Sequence, residues 1–348
     1  MNSTAAAVYR TAEVGLSLRT LNEAGRREYL ALFFCEHFLG ARRFSRFLGK
    51  ARARNRARMA EYLADWPHDE RRPVPEATFT THDEFLRNHH PVWEPVVFRG
   101  VAKHWPAVRQ WNFDFFAQKY ADTRAVLGDQ HGLFGEGETG RYEVSTMGTL
   151  IAAIRAGEKR CLRFSPILEE NPELKNYLDM PWYGAFRGPL SLRGFVQLFV
   201  APPATYTPIH CALESNVFVQ LHGRKRWLLY PAMYQQLLDP PADRRPYFHS
   251  DFLPGRASPQ VPLGKYAPAF EVVLDEGDVL YFGPFVWHYV ENLTPTLAAA
   301  YRFFSLRAGI RSSWPLTVAK FLATKPSLLQ TLYYSLTNTN FYYKPRVQ

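Results

Sequence analysis

Cysteine is scarce in this chain: Cys35, Cys161 and Cys211 are the only three in 348 residues. An odd, widely spaced set excludes a disulfide framework and the paired spacing of a zinc module. It suits a reducing compartment, and a cytoplasmic protein is expected. Long apolar runs are missing too. No stretch approaches the roughly 18 apolar residues of a membrane-spanning helix. Residues 1–20 have no basic segment followed by an apolar one, so no secretory signal is expected. Internal repeats and low-complexity segments are absent.

What is present is apolar and aromatic. With 47% apolar and 15% aromatic residues, the chain can bury a sizeable core. One domain with helical extensions fits better than two independent domains. Apolar residues recur at helix-like spacing from 20 to 66, among them Leu30, Phe33, Phe34, Phe38, Phe44, Met59 and Leu63. There Arg42, Arg46, Lys50, Arg54 and Arg58 fall at steps of four and form a basic ridge. Pro67 and Pro73-Val74-Pro75 then mark a linker.

The segment Glu94 to Gly100 reads as a strand ending at a glycine turn. Residues 111–120 and 147–156 read as short helices. Strands are expected near 160–164, 195–201, 216–221, 226–230, 271–274, 278–282 and 297–305. Short strands without regular helix alternation predict a mainly β double-stranded β-helix, a jelly roll, with N-terminal and C-terminal helical extensions. The expected boundaries are 1–75 for the N-terminal extension, 76–310 for the barrel and 311–348 for a helical tail.

The most informative absence is a carboxylate. Thr207-Pro208-Ile209-His210-Cys211-Ala212 has the form T-P-x-H-x-A, and Asn216, Gly223, Lys225, Trp227 and Pro231 follow it. A second block, Glu276-Gly277-Asp278 to Trp287-His288 and Asn292, lies downstream, with His288 about 78 residues after His210. Val97-Phe98-Arg99-Gly100, Trp105-Pro106-Ala107 and Trp111 lie upstream. Across residues 80–310 these blocks resemble the cupin-like, JmjC-related oxygenases, whose usual metal motif is T-P-x-H-x-D.

The resemblance implies a site that uses Fe(II), 2-oxoglutarate and O2. His210 and His288 match the iron-binding imidazoles, and Lys225 and Thr207 match the groups that hold the distal carboxylate of 2-oxoglutarate. Asn216 matches a polar residue of that pocket. Three positions depart from the pattern. Arg302 stands where the family's asparaginyl hydroxylase has an asparagine near the cosubstrate, and Cys161 and Arg163 stand where it has a tyrosine and a glutamine. Arg163 and Glu214 are candidates to support the metal from behind or to bind an anion.

Ala212 occupies the place of the metal-binding aspartate, and three explanations stay open. A halide, chloride or bromide, sits on the metal in the vacated space, as in iron/2-oxoglutarate halogenases with an H-x-A motif. Alternatively Glu214, which shares strand parity with His210, or a water completes a hydroxylase. Or the barrel is a non-catalytic binding module. Residues 249–251 spell His-Ser-Asp but fall in a Pro- and Arg-rich insertion, and are read as a decoy. Cys211 is expected to face away from the metal, into the core.

The expected substrate is a small molecule, free or tethered to a carrier protein. An acidic partner is expected at the basic N-terminal helix, and no nucleic acid. A homodimer through the C-terminal helices is the remaining expectation.

Overall fold

The structure, a computed structural model, describes residues 23–39, 41–88, 94–129, 143–162, 165–188, 191–242 and 248–323. The chain divides into two units at Trp66/Pro67, where Pro67 opens the expected linker. Unit one is a pair of helices, α1 (Glu23–Leu39) and α2 (Ala41–Tyr62). Tyr29, Leu32, Phe33, Leu48, Ala51, Met59 and Leu63 are the buried apolar residues among those described there. Part of its basic surface has acidic partners: Arg58 bonds Glu28, and Arg52 lies 3.0 Å from Glu36.

Unit two begins with β1 (Arg71–Pro73), α3 (His82–Asn88) and β2 (Val96–Phe98). Next come α4 (Pro106–Gln110), α5 (Phe113–Lys119), β3 (Arg124–Asp129), β4 (Glu143–Thr146) and α6 (Met147–Arg155). After β5 (Arg160–Leu162), α7 (Ile167–Glu170) and α8 (Met180–Ala185), the barrel strands run almost without interruption. They are β6 (Leu192–Ala201), β7 (Thr205–Cys211), β8 (Glu214–His222) and β9 (Lys225–Tyr230). Helix α9 (Gln235–Leu238) and β10 (Phe248–His249) precede β11 (Ala269–Leu274) and β12 (Val279–Phe282). The described chain then runs through β13 (Trp287–Asn292), β14 (Thr296–Phe304) and α10 (Leu306–Phe321).

The strands form two sheets, ordered β1-β11-β9-β13-β7-β10 and β2-β12-β8-β14-β6-β5-β3-β4. From β7 to β9, and again from β11 to β14, successive strands alternate between the sheets. That alternation makes the core a jelly roll. The corner between β8 and β9 is made at Gly223, whose φ of +72° suits glycine and where a Cβ would lie 2.1 Å from the Pro295 carbonyl oxygen. The upstream and downstream sequence blocks meet directly. Strand β2 pairs with β12, and Asp278 takes hydrogen bonds from Arg99 Nη1 (2.7 Å) and Gly100 N (2.8 Å).

The second sheet is buried on both faces. Its outer face, with Val196, Leu198, Val217, Val219, Tyr301 and Phe303, packs on an aromatic-rich helical layer that includes Trp105, Trp111, Phe116 and Tyr183. Strand alternation then turns Gln197, Phe199, Asn216, Phe218, Ala298, Ala300 and Arg302 the other way, toward the first sheet. No helix of the described residues is long and apolar enough to cross a membrane. The expected tail beyond Ala323 lies outside the described residues.

Candidate metal and dicarboxylate site

Parity on β9 defines the inner face of the first sheet. Arg226 points outward, 2.5 Å from Glu271 and 3.4 Å from Glu291, so Lys225, Trp227 and Leu229 point inward. His288 on β13 pairs in register with Leu229 on one side and with His210 on β7 on the other. Two histidines far apart in sequence thus become cross-strand neighbours, with ring centroids 4.0 Å apart.

Each ring is oriented by its own strand. His210 Nδ1 lies 2.9 Å from the Pro208 carbonyl oxygen, and His288 Nδ1 lies 2.9 Å from that of Val286. A carbonyl can only accept, so both Nδ1 atoms carry a proton, which leaves Nε2 of each ring as the nitrogen that bears the lone pair in the neutral form. This is the tautomer of a metal-ligating histidine held by a backbone carbonyl. Burial pushes His288 down to about 3, so at neutral pH it offers a lone pair and has no proton to displace.

The loops carrying the two motifs are joined at the open position. Phe285 N donates to the Ala212 carbonyl oxygen at 2.7 Å. Phe285 itself has φ +57° and is fully buried, a costly conformation for a bulky residue that the packing imposes beside the site. Nothing in the local sequence signals it. Ala212 contributes only a methyl group, and among the described residues no group of three His, Cys, Asp or Glu side chains gathers as metal ligands.

Glu214 is drawn elsewhere. Its Oε1 lies 3.2 Å from Lys320 Nζ on α10. Burial alone would raise the Glu214 carboxyl, but the Lys320 ammonium, a backbone N–H and the Arg302 charge together hold it below its usual value. His249, read from the sequence as a decoy, stands in register with His210 on the edge strand β10. Ser250 N bonds the Ile209 carbonyl, which makes 249–210 the closely spaced, non-hydrogen-bonded pair of that ladder. Only the strand pairing reveals this proximity. Cys211 is fully buried, and burial raises its thiol well above the usual value, as core packing requires.

The other matched residues surround the same space. Lys225 is buried, its Nζ 5.7 Å from the Phe218 ring centroid and 5.9 Å from that of Phe199. Arg302 stacks on the same Phe199 ring, Cζ 5.6 Å from its centroid, and is the neighbour of Asn216 across β14 and β8. Its charge also reaches His288, adding to that ring's low proton affinity. Asn216 Oδ1 and Trp227 Nε1 are buried without a hydrogen-bond partner among the described residues. Native interiors seldom leave such groups unmet. Thr207 lies on β7 opposite Val290. Cys161 is buried on β5, and Arg163 lies outside the described residues.

The donor set fits a metal and an anion together. Two imidazoles of one tautomer stand at one level, and two cations share an aromatic ring inside the chamber. Sequence comparison agrees with this geometry. Over 226 residues the chain is 27% identical to "Lysine-specific demethylase JMJ30" of Arabidopsis thaliana, covering 62% of this chain and 51% of that protein. It is 24% identical to "Lysine-specific demethylase 8" of Xenopus tropicalis, covering 63% and 50%. It is 26% identical to "tRNA wybutosine-synthesizing protein 4" of Emericella nidulans, covering 67% and 22%. The chain spans about half the length of the first two relatives. The model of the Cupin-like domain matches residues 82–307, which include both histidines and every strand of the two sheets except β1, and the chain belongs to that family.

Proposed function

We propose that the chain is an Fe(II)- and 2-oxoglutarate-dependent enzyme acting on an unactivated aliphatic C–H bond, with a halide in the place left by Ala212. The carrying observation is the pair of His210 and His288 imidazoles, each oriented by a backbone carbonyl, beside a methyl group where the family's carboxylate would stand. When bound, the metal and 2-oxoglutarate would supply the oxidising power for C–H cleavage. The chain's residues bind and aim. His210 and His288 would hold the metal through Nε2. Lys225, with Thr207, would take the distal carboxylate of 2-oxoglutarate. Arg302 and Asn216 would face its other end.

Charge supports the halide. An aspartate would bring one negative charge to the metal; two neutral imidazoles bring none, and Arg302 adds a positive field. An exogenous anion such as chloride restores the balance. Glu214, the nearest substitute in sequence, is already held by Lys320. A second reading rests on the relatives, two of which are named as demethylases: a hydroxylating enzyme with water as the third ligand. A non-catalytic module would bind neither metal nor cosubstrate.

The test is anaerobic addition of Fe(II) and then 2-oxoglutarate. A visible metal-to-ligand charge-transfer band is expected, and His288→Ala should lack it. Failure of the folded wild-type protein to show the band would remove the proposal.

A further inference from the structure

Helix α10 leaves an unusual face in solvent. Its inner face, with Gly309, Pro315, Leu316, Thr317 and Ala319, is buried. Ser312 Oγ donates to the Pro284 carbonyl oxygen, Lys320 meets Glu214, and Gly309 lies so near Leu213 that a Cβ would stand 2.3 Å from Cδ1. These contacts seat α10 against the loops that carry both histidine motifs.

The outer face is apolar as well. Leu306, Ile310, Trp314, Val318 and Leu322 are 44, 50, 53, 37 and 41% exposed. They follow at steps of four, with a backbone break at Ser313 dividing them into two short runs. The other fully exposed residues from 306 to 322 are Arg307 and Arg311, and no acidic residue occurs in that stretch. Apolar patches of this kind on a soluble domain mark contact surfaces.

We propose that this face of α10 rests on an anionic lipid bilayer surface. Aliphatic side chains, one tryptophan and arginines without carboxylates are the composition of a helix lying in the headgroup region. The chain's net charge of +10 adds long-range attraction to such a surface. A second copy of the chain fits less well. A two-fold contact presents the same patch to itself, bringing Arg307 and Arg311 of both copies together with no acid on the face to pair them. A protein partner needs a polar rim with matched hydrogen bonds, and this face offers only the two guanidinium groups. The inference stands apart from the chemistry proposed for the barrel.

The experiment is co-sedimentation of the full chain with vesicles of phosphatidylcholine, with and without about one third phosphatidylserine, at near-physiological salt. Binding to the anionic vesicles is expected, weaker on the neutral ones. Ile310→Ser with Val318→Ser should weaken it about tenfold or more, while Arg307→Gln with Arg311→Gln should remove the salt-sensitive part. These positions are exposed, so unchanged thermal unfolding should confirm that the variants fold. The proposal is overturned if the wild type stays in the supernatant. It is equally overturned if the Ile310/Val318 variant binds as well as wild type, which would place the contact elsewhere on the basic chain. A dimer by light scattering that Ile310→Ser dissociates would assign the face to a second copy.

Discussion

Whether a histidine can take a metal is set here by what its other nitrogen does. Val286 and Pro208 each supply a carbonyl two residues before the ring, so the tautomer is set by the local chain. We expect His288→Ala to abolish tight Fe(II) binding, measured by equilibrium dialysis, while leaving the protein folded. Lys225 is a sharper probe of the anion site. Lys225→Met keeps the apolar stem against Phe199 and Phe218 and removes the charge. It should weaken anaerobic 2-oxoglutarate binding by roughly 100-fold or more, as for a buried charge losing its partner. An unchanged affinity would move the distal carboxylate to Arg302. His210, His288 and Lys225 were legible because each sits in a dense local motif. The Glu214–Lys320 pair was not, since its partners are 106 residues apart and no local pattern links them. His249 reads as a decoy because residues 249–251 fall in a Pro- and Arg-rich insertion, and only strand pairing brings it beside His210.

Among the elements, the barrel strands were the easiest to read and the small ones the hardest. β5, β6, β8, β9, β11, β12 and β14 fall on the seven expected strand segments with ends shifted by up to three residues, and α5 and α6 fall within the expected helices. β3 and β4 lie where no strand was expected, β7 and β13, which carry the two histidines, lie outside the expected strand segments, and β10 has only two residues, too few for any alternation to show. The C-terminal helix is expected either as a dimer-building tail or packed back on the barrel, and α10 packs against Leu213 and Glu214 beside the first histidine motif. Lys320→Met should therefore destabilise the protein by about 2 kcal/mol at neutral pH. The carboxyl of Glu214 is depressed in the folded state, so the pair's contribution is present above the unfolded carboxylate value of roughly 4.3. It is lost as pH falls through the lower folded value. Thermal melts of wild type and variant should differ at pH 7 and converge in acid. A difference that persists at low pH would mean that packing, rather than charge, anchors α10. Gly194 on β6 tests the second sheet. A Cβ there would lie 2.4 Å from the Arg302 carbonyl oxygen and 2.5 Å from the Tyr301 ring. Gly194→Ala should cost roughly 1–3 kcal/mol by overpacking and weaken 2-oxoglutarate binding through Arg302; a melt and affinity equal to wild type would contradict this.

For the whole molecule, the short strands foretold two sheets, and the conversion of one sheet into a double-faced layer was hidden. The second sheet is apolar on the parity that meets helices and mixed on the parity that meets the chamber, where Gln197, Asn216 and Arg302 alternate with apolar residues. Composition alone cannot separate those two burials. The absent carboxylate was plain in the sequence, whereas its consequence depends on three-dimensional facts: Glu214 turned to Lys320, Arg302 set near His288, and the Ala212 loop bonded to Phe285.

The most direct test of the account is a chloride titration of the anaerobic Fe(II) protein with 2-oxoglutarate. Chloride should shift the charge-transfer band in a saturable way and tighten 2-oxoglutarate. By linkage, 2-oxoglutarate should tighten chloride by the same factor. Ala212→Asp should refill the coordination place and abolish both responses. Full 2-oxoglutarate affinity in halide-free buffer, with a spectrum that chloride leaves unchanged, would contradict the account.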